Sequence, residues 1–103
     1  MNWTNFSCSN YAQRAELTER FRNNNISNNP IAECFDGDAI KDILNQDGCV
    51  DIRFYFGLDI ENKLCLVITG VDANGNDLYD GLLAEHGYKC PLQCSSMNPL
   101  NLT

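Results

Sequence analysis

Basic residues are scarce in this chain. Seven Lys and Arg stand against fourteen Asp and Glu, a net charge of −7 over 103 residues. That shortage argues against a nucleic-acid backbone or an anionic membrane as partner, since both require a concentrated positive face. Histidine is scarcer still: His86 is the single one. Any nucleophile activated by an imidazole would have to use it, and side chains that titrate near neutral pH are otherwise few. There is no Gly-rich phosphate loop, no Gly-x-Ser-x-Gly elbow and no His-Glu-x-x-His pattern. No apolar run approaches the ~18 residues that mark a transmembrane helix. The opening "MNWTNFSCSNYAQRAELTERF" lacks the basic start and apolar stretch of a secretory signal. The expected location is therefore cytoplasmic.

What is present suits a small globular domain. Hydrophobic residues make up 44% and charged residues 20%, and a chain of this length buries upwards of ~60% of its unfolded surface without staples. We read residues 1–103 as one domain, with 1–9 and 95–103 as irregular tails. The six cysteines are Cys8, Cys34, Cys49, Cys65, Cys90 and Cys94. They are sparser than in a disulfide scaffold, and in a reducing compartment free thiols are the default. Asn2, Asn5, Asn25 and Asn101 each begin an Asn-x-Ser/Thr sequon, which carries no weight without a secretory signal.

Residues 10–22 read as a helix, with Asn10 and Gln13 spaced as a capping box and Tyr11, Ala15, Thr18 and Phe21 along one side. A polar, Asn-rich loop follows up to Pro30. A second helix is capped by Asp36 or Asp38, carries Ile40, Ile43 and Leu44 as its apolar stripe, and ends before Gly48. The period then changes to two. In "CVDIRFYF" Val50, Ile52, Phe54 and Phe56 face one way and Asp51, Arg53 and Tyr55 the other, whereas "LCLVITGV" is apolar on both faces, as in a central strand. These two strands form an antiparallel hairpin across "GLDIEN". Asn74-Gly75 signals another hairpin through a type I′ turn, leading to a third strand over 77–83 or, alternatively, a short helix. The fold class is α+β: two N-terminal helices packed on a small antiparallel β-meander.

Two constellations could carry chemistry. Asp72, Asn74, Asn76, Asp77 and Asp80 offer oxygen ligands at a calcium-like spacing, but Gly75 and Leu83 do not fit the EF-hand pattern, and a polar hairpin turn is the preferred reading. "EHGYKCPLQC" offers more. Pro91 suits the first position of a helix, with Cys90 as its cap and Cys94 one turn on, which would lower the Cys90 thiol pKa. His86, Cys90 and Cys94 are candidate zinc ligands, though a structural zinc site needs a fourth. Cys90 and Cys94 are also candidate reactive thiols, a disulfide, or a redox pair, although the Cys-x-x-Cys spacing and βαβ setting of dithiol oxidoreductases are missing. Ordinary structural thiols remain the preferred alternative. No cofactor is expected, with zinc as the one possible exception.

Residues 44–100 resemble a group of small uncharacterised bacterial proteins, on "QDGCVDIRFYFG", "VITGVDANGND" and "GYKCPLQC". The resemblance implies a stand-alone bacterial domain and transfers no activity, cofactor or catalytic residue. The expected function is non-enzymatic binding, through a protein partner or a homo-oligomer, and the apolar and aromatic stretch "RFYFGL" is the surface that a thin sheet would leave uncovered. The alternatives are a zinc-binding domain and a thiol-reactive protein led by Cys90.

Overall fold

A computed structural model describes residues 11–24 and 29–101. The expected Asn10 cap, the N-terminal tail with Cys8, and the sequons at Asn2, Asn5 and Asn25 lie outside the described residues or extend beyond them. The elements are α1 (Tyr11–Asn23), β1 (Ala32–Cys34), α2 (Gly37–Leu44), β2 (Cys49–Leu58), β3 (Leu64–Asp72), β4 (Leu83–Ala84) and β5 (Tyr88–Cys90). They form a three-stranded antiparallel sheet in the order β2-β3-β4 and a two-stranded ribbon of β1 with β5. The molecule is α+β as expected, with two corrections. A strand, β1, separates the helices, and the meander is short, with a separate ribbon at its side.

Asp36 caps α2 by accepting the Asp38 N–H at 3.1 Å, which satisfies one of the orphan donors at a helix start. The i, i+3 spacing of Ile40 and Ile43 then points both at the sheet. Ile43, Ile68 and Ala84 are buried at the centre, with Phe35, Ile40 and Ile52 packed around them. Of the described helices, α2 builds this core. Helix α1 stands away from it, with Leu17 and Phe21 both largely exposed; the Arg22 guanidinium ties the helix to the tail by donating to the Leu100 carbonyl.

β2 and β3 pair in one register from Asp51↔Val71 to Leu58↔Leu64, and a bulge sits between Cys49 and Asp51. The bulge leaves Val50 without a residue opposite it and 54% exposed, and of the four residues expected on the buried face only Ile52 packs against the core, Phe54 and Phe56 standing exposed. Asp59 closes the β2–β3 hairpin: its Oδ1 accepts the N–H groups of Glu61 and Lys63, and Asn62 takes positive φ. Asp72 does the same one hairpin later, accepting from Asn74 and Asn76 at 2.9 Å each while Gly75 holds φ +83°. Each loop is therefore three residues long with one left-handed residue. This replaces the expected type I′ turn, because Asn74 does not take positive φ.

Beyond this turn the third strand is reduced to a bridge, Val71↔Asp77, and the two residues of β4, which pair with Thr69 and Ile68. Gln46, just past α2, spans the gap. Its Oε1 accepts the Leu82 N–H and its Nε2 donates to the Ile43 carbonyl, both at 2.8 Å.

Candidate functional site

The ribbon positions the residues picked out from the sequence. Ala32 lies opposite Cys90, Glu33 opposite Lys89 and Cys34 opposite Tyr88. Side chains alternate along a strand, so Glu33 and Lys89 share one face and Ala32, Cys34, Tyr88 and Cys90 share the other.

The charged face docks on the larger sheet. β3 has no described strand as partner beyond Ile68 on its outer side, and two side chains satisfy its donors there: Asn29 Oδ1 accepts from Leu64 N at 2.8 Å and Glu33 Oε1 from Leu66 N at 2.9 Å. Lys89 Nζ meets Asp59 Oδ2 at 2.6 Å. That ammonium, followed by the N–H of Lys63, lowers the Asp59 carboxyl pKa to about 2, while the Lys89 pKa is raised, first by the hydrogen bond to Asp59. The second oxygen of Glu33 is buried and makes no hydrogen bond.

The other face lines a cleft of about 550 Å3, walled by the ribbon, Thr18 of α1 and the tail around Asn98 to Asn101. Cys90 and Cys94 meet here in a disulfide, with Cα atoms 4.7 Å apart. This overturns the free-thiol default at these two positions, and the capped helix at Pro91 is absent as well. Cys90 belongs to β5, and the residues that follow it form no helix. The chain turns instead, with Gln93 N–H donating to the Lys89 carbonyl at 2.9 Å. A thiol in a disulfide can be neither a metal ligand nor a nucleophile until the bond is opened. The structure thus brings two of the three expected site residues together and leaves the third out. His86 sits in the β4–β5 link with φ +60°, largely exposed, its Nε2 3.6 Å from the Glu85 carboxylate, and does not line the cleft. Among the described residues no group of three or more His, Cys, Asp or Glu is placed to hold a metal ion. The oxygen cluster at 72–80 is likewise engaged within the protein: Asp72 closes its turn, and Asp77 accepts from Arg53 at 2.6 Å and from the Tyr55 hydroxyl.

Sequence reasoning missed Cys34. It is free, exposed and part of the cleft wall, placed there by pairing between strands more than fifty residues apart, for which no local signal exists.

A second surface lies on β2. Phe54, Tyr55, Phe56 and Leu58 are 46%, 47%, 80% and 66% exposed. The β2-β3-β4 order leaves the outer edge of β2 unpaired by any described strand. Beside it, Phe21, Pro30, Ile31, Phe56, Leu64 and Leu66 border an apolar groove of about 230 Å3. No helix among the described residues is long and apolar enough to cross a membrane. Comparison with protein families, with curated proteins and with solved structures finds no match for this chain, so the resemblance noted above rests on the quoted residues alone.

Proposed function

We propose that this chain is a small binding domain that acts through β2, by contact with a protein partner or by self-association. The observation that carries the reading is the ten-residue outer edge of β2 with its exposed aromatic side chains. Open edges invite another strand, and soluble proteins usually blunt them with lysine, proline or irregular geometry. Here the bulge at Val50 blunts one end only. Residues 51–58 contain no Lys or Pro, and the charge of Arg53 is engaged by Asp77.

The strand is also complementary to itself. In an antiparallel pairing of two copies centred on Phe54, Ile52 falls opposite Phe56 of the second copy and Arg53 opposite Tyr55. Apolar meets apolar on one face, and a guanidinium meets an aromatic ring on the other. The net charge of −7 disfavours nucleic acid or an anionic bilayer in this role. Zinc gains no support, since it would require both an opened disulfide and a displaced His86.

Sedimentation velocity over a concentration series tests the reading, with Phe54→Lys and Phe56→Asp as probes. Concentration-dependent association in the wild type, lost in both variants, supports it. A wild type that stays monomeric, and whose bound proteins in a pull-down are unchanged by Phe56→Asp, overturns it.

A further inference from the structure

The cleft holds three cysteines in two chemical states. Cys90 and Cys94 are joined, Cys34 is a free thiol, and all three line the same cleft. The two sulfurs of the disulfide differ in access. Cys90 is 4% exposed, held within the ribbon opposite Ala32, whereas Cys94 lies in the exposed stretch 91–97. A thiolate attacks a disulfide through the sulfur it can reach, and the other sulfur leaves. From the cleft, the reachable sulfur is that of Cys94.

We propose that Cys34, Cys90 and Cys94 form a thiol–disulfide exchange site in which Cys94 receives the attack, Cys90 leaves, and Cys34 is the internal nucleophile. In the exchange step the Cys34 thiolate attacks Cys94 Sγ. The Cys90–Cys94 bond breaks, a Cys34–Cys94 bond forms, and Cys90 leaves as a thiolate that takes up the proton Cys34 gave away. No electrons enter or leave the protein; the disulfide moves from one pair to another. Cys90 remains in its buried position in β5. Residues 91–95 must swing toward β1. They are held by the Gln93–Lys89 backbone bond and by the Asn101 side chain donating to the Ser95 carbonyl, both on the molecular surface and cheap to break. A low-molecular-weight thiol entering the cleft makes the same attack on Cys94, giving a mixed disulfide there and a free Cys90. This is the class of co-reactant the site accepts.

Two measurements test the proposal. The full-length Cys90→Ser chain is oxidised with glutathione disulfide and mapped by non-reducing digestion and mass spectrometry. A Cys34–Cys94 linked peptide should dominate, whereas Cys94 left alkylatable, or paired with Cys8, Cys49 or Cys65, overturns the proposal. The second measurement uses the wild type and so does not depend on how that variant folds. The oxidised protein is treated briefly with reduced glutathione and quenched in acid. Adducts should favour Cys94 over Cys90 by about tenfold or more. An even split, or a preference for Cys90, overturns the assignment.

Discussion

Asp59 joins the tip of one hairpin to the ribbon: its Oδ1 takes two backbone N–H groups and its Oδ2 takes Lys89. Its pKa falls from 3.8 to about 2. A depressed carboxyl contributes stability that is fully present above its unfolded pKa and is lost as pH falls through the folded value. The urea midpoint should therefore decline between about pH 4 and pH 2, and Asp59→Asn should flatten that decline. Lys89 works in the opposite sense. Its raised pKa gives a contribution that is present below 10.5 and disappears as pH rises through the folded value. Gln46 is a second residue acting beyond its neighbourhood, since it links the end of α2 to Leu82. Gln46→Ala should cost about 1–2 kcal/mol in denaturant unfolding, the range for removing a partly buried pair of hydrogen bonds. At this scale Cys90 and Cys94 were legible from their spacing and the proline between them. Whether they were thiols or a disulfide was not, because the two sulfurs meet across a turn that follows β5, a strand set by its non-local pairing with β1.

Elements with a long enough period could be read directly. Nine residues of β3 and most of β2 show the alternation or continuous apolarity that a sheet requires, and Ile40 and Ile43 mark the buried side of α2. The ribbon could not be read this way. β1 and β5 have three residues each, too few for a period of two to stand out, and their pairing is entirely non-local. β4 is only two residues long because the chain first turns at 78–81, where the Gly81 N–H donates to the Leu78 carbonyl, and Leu82 N–H is taken by Gln46 instead of a strand. The ribbon also has a steric requirement. A Cβ on Gly87 would come within 2.8 Å of the Cys34 carbonyl oxygen and of Glu33 Cγ, so the β4–β5 link passes β1 at backbone distance. Gly87→Ala should destabilise by about 1–3 kcal/mol through overpacking, and amide exchange should show the loss concentrated in β1 and β5.

At the scale of the whole molecule, the core of Ile43, Ile68 and Ala84 lies under α2, and the disulfide lies on the far face of the ribbon, outside that core. The covalent loop spans a sequence separation of only four, so its entropic contribution is roughly 2 kcal/mol at most. Reduction should leave the native sheet intact and lower the thermal midpoint only modestly, while amide protection falls around Gln93 and the tail to Asn101. Loss of cooperative unfolding on reduction would contradict that separation. The two faces of the ribbon have one more consequence. The short connector from Asn29 to Ile31 acts as a length gauge: gaining or losing a single residue there would turn β1 over, sending the Glu33 carboxylate into the cysteine cleft and the Cys34 sulfur against the bare edge of β3. Surface connectors usually tolerate such changes in length. In this one, the residue count decides which chemistry faces the core and which faces solvent.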